Sequence, residues 1–523
     1  MFEARDVDAD RRISRRRLLQ LMGAGGAGLA AAACGVSTQT SPPTLINAGD
    51  FKIPKSGAKL PTEQSTLRWM DSGDQKALFF NAFFPAYSQK HPNIQVSYTG
   101  TNWNTIQQVI LLGFHNNTAP DVFQLPLNVT PAQAVASNWV GPLDDIVPDW
   151  PSVKKRFAPG VFANGVTDFN GKTYGFPWTS NTRIGTSMLY DTDYMKKAGY
   201  DPAQKPLTWD EFRTALKKIT QQGAGNYYGI IAGLTQSGQL SGVVDTLAQM
   251  AGAHGTAVIG GLFNYKTGHY NFTSDQFLAA TELVLAIKSD GSFFPGSASI
   301  DAPGARGRFP QGVAGVIMQG PWNIPAWMKQ NPSFPLGIAL PPVQKSLDDA
   351  WPLTYGPGGS NTWFRSATTK LGPVIGDMFN YIATLNGQTQ WAEYDGVGDP
   401  PDFPDAIKHA KIDALSRKEF NWATKWTMIG PEPAVRKQKI QDVYLAAKLP
   451  KPTWSDTMVG LFTGQITASP KAALKDVQDR YEAALDDAIK VVNQRESTNI
   501  TRDDFVFKDW NPRQPYTKLY QNG

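Results

Sequence analysis

The clearest hydrophobic patterning begins near Ser65. Thr66 to Met70 reads as a strand that ends in the polar turn Asp71-Ser72-Gly73-Asp74. Ala77 to Tyr87 is aromatic and helical and is stopped by His91-Pro92. Asn93 to Tyr98 then alternates with period two, as a half-buried strand does. Residues 105–115 predict a second helix, and Ala119 to Gln124 a third strand. Strand–helix–strand–helix–strand predicts parallel pairing with right-handed crossovers, hence an α/β body.

Further along, Phe169-Asn170-Gly171-Lys172 predicts a tight hairpin. Ser187 to Tyr190 reads as a strand. Thr208 and Glu211 have the spacing of a capping box at a helix start, which makes the neighbouring Trp209 structural. Helices are expected over 238–252, 277–288 and 371–385, the last continuing through Tyr394. Residues 396–435, rich in Pro, Asp and Trp, read as irregular, with Trp422 and Trp426 near the site or a lobe joint. A long final helix begins with Ser469 as N-cap and Pro470 at its first position, and keeps an apolar stripe to Val492. The apolar run Val313 to Met318 predicts a buried strand that Gln319-Gly320-Pro321 ends. Trp322 therefore stands at the carboxyl end of a sheet, where open α/β sheets bind ligands. On position alone it can be a core plug or a platform for a flat, partly apolar group.

Composition narrows the class. A chain of 523 residues exceeds one ordinary core and implies at least two lobes. With 18% charged and 41% hydrophobic residues it is neither disordered nor polytopic. A net charge of +5 is small for this length, and with no basic stripe it argues against nucleic acid as a partner.

Several segments together carry a resemblance. Gly312-Val-Ala314 leading to Gly320-Pro321-Trp322, followed by Leu336-Gly-Ile-Ala-Leu-Pro-Pro342, resembles the family-1 extracellular solute-binding proteins. These are the maltose-binding-protein-like sugar receptors of bacterial ABC importers. Tyr87 to Ile94, Pro120-Asp-Val-Phe123, Val140 to Asp145, Gly171-Lys-Thr-Tyr-Gly-Phe-Pro177, Leu207 to Phe212 and the Gly464-to-Leu474 helix start follow that family's order.

The resemblance implies a two-lobe periplasmic-binding-protein fold of type II, with a hinge between the lobes. One lobe is expected from 64–178 and 343–400, the other from 179–342 and 401–498. Residues 499–523 form an extension that the family does not place. The implied function is reversible binding of a sugar or small oligosaccharide by a monomer that hands it to a membrane permease. The expected contacts are Asp74, Gln75, Asn102, Trp103, Gln124, Trp178, Arg183, Trp322 and Trp363, with hydroxyls meeting polar groups and sugar faces meeting rings. A peptide or another polar solute on the same fold stays open, because a fold does not set its ligand.

The N-terminus reads as an address. Ser14-Arg-Arg-Arg-Leu-Leu-Gln20 resembles a twin-arginine export signal. Leu29-Ala-Ala-Ala-Ala-Cys34 resembles a lipoprotein cleavage site, with Ala31 where that family usually has Leu, Val or Ile. Residues 1–33 are expected to be removed, Cys34 to carry a lipid anchor, and 34–63 to form a flexible tether on the outer side of the membrane. Cys34 is the only cysteine in the chain, so no intramolecular disulfide can form.

The main alternative is an exported carbohydrate-active enzyme, a glycoside hydrolase or lyase. Asp144-Asp145, Asp348-Asp349 and Asp486-Asp487 read as surface pairs or caps. No Gly-x-Ser-x-Gly elbow is present. The five histidines lack metal-ligand spacing, so neither a metal nor a cofactor is expected.

Overall fold

Two sheets carry the architecture. The computed structural model describes residues 51–55 and 57–520, so the expected signal peptide and Cys34 lie outside the described residues. The first sheet runs in the order 94–100, 65–71, 122–124, 359–366, 140–141, with 175–180 also pairing along 359–366. Ser65–Asp71 is parallel to both Ile94–Gly100 and Val122–Gln124, as the alternation of strands and helices predicted. The second sheet runs 336–339, 187–191, 314–319, 228–231. There Ala314–Gln319 is parallel to Tyr228–Ile231 and antiparallel to Ser187–Asp191.

The chain leaves the first sheet after Ser180 and enters the second at Ser187. It returns through Leu353–Tyr355 to Gly359–Ser366. A last passage uses the helix Ala414–Trp426, whose Leu415 packs on the second lobe's core while Phe420 packs with Ile407 and Ala410. Several crossings between two sheets make a two-lobe α/β body joined by a hinge.

Local signals explain the best-defined elements. At Trp209–Gly223, the Thr208 hydroxyl accepts from the Glu211 N–H at 3.2 Å. The Glu211 carboxylate accepts from the Thr208 N–H at 2.8 Å, which completes the capping box. Trp209 is buried and donates to the Pro342 carbonyl at 3.1 Å, as a structural tryptophan should. Ser469 caps the helix Pro470–Glu496. Asn170 and Gly171 both take positive φ, 53° and 75°, which a two-residue turn between Asp168–Phe169 and Lys172–Thr173 requires.

Three segments differ from the sequence reading. The helix Ala414–Trp426 lies where irregular chain was expected. Its buried residues are Ser416, Glu419 and Ala423, and Leu415, Phe420, Trp422 and Trp426 pack half-buried on three separate cores, so polar positions break up its apolar stripe. Phe51, within the stretch read as tether, is buried against Phe79, Phe83 and Tyr394. The unplaced C-terminal stretch contributes Phe505, Phe507 and Trp510 to the core of the second lobe. Arg513 then stacks on Trp351 at 3.9 Å, and the Tyr516 N–H donates to the Ile429 carbonyl at 2.8 Å. Among the described residues, no helix is long and apolar enough to cross a membrane.

Candidate functional site

The first lobe builds its side of the site on the turn after Ser65–Asp71. Gly73 (φ 63°) and Asp74 (φ 56°) are both left-handed. A Cβ on Gly73 would sit 3.1 Å from the backbone of Gly100 and Thr101, so the turn needs glycine there. Asp71 points inward and accepts from the Tyr98 hydroxyl and the Gly73 N–H, both at 2.8 Å. Burial pushes its carboxyl up to about 6, against the pull of nearby Lys76 and these two donors.

Asp74 points the other way, toward the second lobe. Both of its carboxylate oxygens lie 2.8 Å from Nη2 of Arg306. Arg306 belongs to the short helix Ala302–Arg308, and its carbonyl accepts from the Trp327 indole at 3.1 Å. Its Nη1 lies 3.4 Å from Oε1 of Gln319, at the carboxyl end of Ala314–Gln319. Gln319 in turn donates to Gln239 Oε1 at 3.0 Å. One chain of polar groups thus joins the ends of two sheets.

A second chain runs beside it. Asp399 is buried, with its backbone N–H on Asp395 at 2.8 Å and its carbonyl accepting from the Trp391 indole at 2.8 Å. Its carboxylate accepts from Gln75 Nε2 at 2.7 Å and from Arg183, and lies 3.8 Å from the Lys76 ammonium. Asp395 beside it is held well above the usual carboxylate range by burial and by the Asp399 charge. The Arg183 guanidinium lies 5.5 Å from the centre of the Trp322 ring, within cation–π reach.

Trp322 sits half-buried in the turn Pro321–Asn323, with its ring over Gly320, where a Cβ would come within 1.9 Å of the indole. Gly398 packs on the Trp322 backbone with equally little room, its Cβ position being 2.1 Å from Trp322 Cα. The loop that carries Asp399 therefore touches the turn that carries Trp322.

Of the expected contacts, the structure brings Asp74, Gln75, Arg183 and Trp322 together at this join. Asn102 lies just beyond Thr101, whose N–H donates to the Asp71 carbonyl, and it caps Trp103–His115 by accepting from the Thr105 N–H at 2.9 Å. Trp103 is half-buried against the first lobe's core. Gln124 is buried and ties two strand ends together, accepting from the Ser72 N–H and donating to Asn361, each at 2.9 Å.

Trp178 and Trp363 are placed differently. Both are 0% exposed and lie inside an aromatic cluster with Trp69, Phe80 and Trp391. In this conformation neither ring has a surface to offer a ligand. A hydrophobic residue after a turn looks the same in sequence whether it covers a cleft or fills a core.

Arg306, Asp399, Lys76, Gln239 and Gln319 were not anticipated. Arg306 lies in Gly-Ala-Arg-Gly-Arg, which reads as loop, and Asp399 in a Gly- and Pro-rich stretch without periodicity. Only the partners they meet in space, Asp74 for Arg306 and Arg183 for Asp399, give them a role, and a linear pattern does not show that. A small cavity of about 20 Å³ lies elsewhere, among Phe212, Ile230, Leu240, Val243 and Met318 inside the second lobe. Of its lining, Gln239 and Gln319 belong to the join. Among the described residues there is no group of three or more His, Cys, Asp or Glu that could hold a metal ion.

Two α/β lobes thus meet with their strand ends facing one another across a polar join. The profile of the bacterial extracellular solute-binding proteins matches residues 73–384, and the chain belongs to that family. A putative binding protein of Brucella abortus (strain 2308) is 24% identical over 293 residues, 56% of this chain and 66% of that protein. The alignment thus leaves a third of this relative's length unmatched. A solute-binding protein of an ABC transporter from Thermotoga lettingae, solved with α-D-tagatose, superposes with a TM-score of 0.59 at 19% identity, over 80% of this chain and 100% of that one. The GacH receptor of Streptomyces glaucescens, solved unliganded and with acarbose, gives a TM-score of 0.58 at 18% identity, over 81% of this chain and 98% of that one. At these identities the two structures speak for the fold.

Proposed function

We propose that this chain is the receptor of an ABC importer, binding a sugar or small oligosaccharide between its lobes and delivering it to a membrane permease. The observation that carries this reading is the meeting of Asp74, Gln75, Arg183, Arg306, Gln319 and Trp322 at the carboxyl ends of strands from both lobes. Donors and acceptors for hydroxyl groups stand there beside one half-buried indole, the combination that saccharides require. Family membership and the saccharides named for the two solved neighbours support the same ligand class. The receptor acts as a monomer and closes by hinge motion.

A thermal-shift screen against a sugar panel tests this. A ligand that binds only the folded chain raises the melting temperature, by the equivalent of about 2.7 kcal/mol at a hundredfold excess over Kd. The bound sugar should be recovered unchanged. Steady release of shortened or unsaturated product, abolished by replacing one carboxylate, would instead establish a hydrolase or lyase.

Trp322 gives a sharper test. With part of its ring open at the join, Trp322→Ala should lower affinity about thirtyfold, ~2 kcal/mol, and cost the fold less than that. Trp322→Phe should recover part of the loss. Trp209→Ala, the buried control, should lower urea stability with little direct effect on binding. Calorimetric titration and urea unfolding of all three variants decide the matter. A Trp322→Ala protein that is badly destabilised yet binds normally when folded would show a core plug.

The reading places the protein on the outer face of the membrane, exported by the twin-arginine route and anchored through Cys34. Cys34→Ala should move it from the membrane fraction to the soluble fraction, as an immunoblot of fractionated cells would show. Wild-type protein recovered soluble with an intact N-terminus would rule the anchor out.

A further inference from the structure

We infer that the join selects an uncharged saccharide over an acidic one, and that Asp74 sets this selection by neutralising Arg306. The inference rests on the sugar-receptor reading and narrows its ligand class.

Three cations stand at the join, and each faces a carboxylate of the chain itself. Arg306 is held by both oxygens of Asp74, Arg183 is bound to Asp399, and Lys76 lies 3.8 Å from Asp399. The Arg306 side chain is 7% exposed and that of Asp74 29%, so the carboxylate is the more open partner of the pair. An incoming uronate or sugar phosphate that sought Arg306 would first meet the Asp74 charge. To reach the guanidinium it would have to displace that carboxylate and leave it without its counter-ion. Repulsion between like charges and the loss of one partner from a desolvated pair both oppose this. A hydroxyl faces neither cost, because it can accept from Arg306 while donating to Asp74.

A second observation points the same way. Gln75 is buried, and its Nε2 is committed to Asp399, yet its Oε1 has no partner among the described residues. An acceptor left open in a polar join calls for a donor. Hydroxyls donate, whereas carboxylate and ionised phosphate oxygens only accept. Gln239 and Gln319 extend the join with neutral amides.

The test uses purified chain at physiological salt and matched neutral and C6-oxidised saccharides, glucose with glucuronate, galactose with galacturonate, and the corresponding trisaccharides. Native mass spectrometry and calorimetry rank each pair. The wild type should prefer the neutral member of the pair it binds by about tenfold or more. Asp74→Asn is well suited to the left-handed turn, because asparagine tolerates positive φ. It frees the Arg306 charge and should raise relative affinity for the acidic member about tenfold or more. Adding Arg306→Gln to Asp74→Asn should return the preference to the neutral sugar, which a merely structural role for Asp74 would not do. If Asp74→Asn does not fold, Arg306→Gln alone serves, since it leaves the Asp74 charge unopposed and should deepen the discrimination against uronate. Equal or tighter binding of the acidic member by the wild type overturns the inference and leaves the sugar receptor standing. So does a preference that neither variant moves. Failure to bind any saccharide, neutral or acidic, overturns the sugar-receptor reading and this inference with it.

Discussion

Trp363→Ala should lower the free energy of unfolding by about 3–5 kcal/mol, the range for truncating a large aromatic in a core that cannot collapse. The ring is 0% exposed, with centroids 5.1 Å from Trp178, 5.8 Å from Phe80 and 6.2 Å from Trp391. Removing it opens a hole that these rings and Trp69 line and none can fill without leaving its own contacts. Trp363→Phe should cost much less. The Trp363 indole N–H has no acceptor among the described residues, so its loss forfeits no hydrogen bond and removes a buried donor. Urea unfolding of both variants checks the pair. A Trp363→Ala protein as stable as the wild type but unable to bind sugar would put this ring back among the ligand contacts.

The contrast between Trp363 and Trp322 shows what was legible. Period and capping are local, so the parallel strands after Ser65, the capping box at Thr208 and the Ser469 helix start were all readable from spacing. The end of Ala314–Gln319 was readable too, because Gly320 and Pro321 stop a strand by backbone chemistry alone. The direction in which a tryptophan points beyond such an end depends on what packs against it. Trp322 meets Gly320, Gly398 and Arg183, whereas Trp363 meets four other rings. Apart from Gly320 and Trp391, those partners lie more than seventy residues away along the chain, and no short window contains them. The same limit hid Arg306 and Asp399, which become partners of Asp74 and Arg183 only once the lobes are side by side. It also hid the helix Ala414–Trp426, whose buried face sets a serine and a glutamate between its apolar positions Leu415, Trp422 and Trp426.

That buried glutamate should make stability fall as the pH rises. Glu419 is 1% exposed. Its Oε1 accepts from the Ser187 hydroxyl at 3.1 Å, and a backbone hydrogen bond from Ile184 helps the charged form. Its Oε2 has no partner among the described residues. Burial outweighs the two donors and pushes the carboxyl up to about 8 from 4.5. The folded chain therefore holds this proton more tightly than the unfolded chain. Between 4.5 and about 8 the native state binds more protons, so raising the pH through that window lowers stability. The full effect corresponds to at most ~5 kcal/mol at pH 9, at 1.36 kcal/mol per pKa unit. Glu419→Gln removes the titration and keeps a carbonyl for Ser187, and its amide stands in for the protonated carboxyl. The variant should match the wild type closely at pH 5 and be more stable at pH 9, by several kcal/mol. Asp71, Asp245 and Glu432 are raised in the same direction, to about 6, 7 and 7, and they titrate in both proteins, so they cancel in the comparison. Melting curves of the two proteins at pH 5, 7 and 9 should diverge steadily. Parallel curves would mean that Glu419 is already ionised and paired in the folded chain at neutral pH.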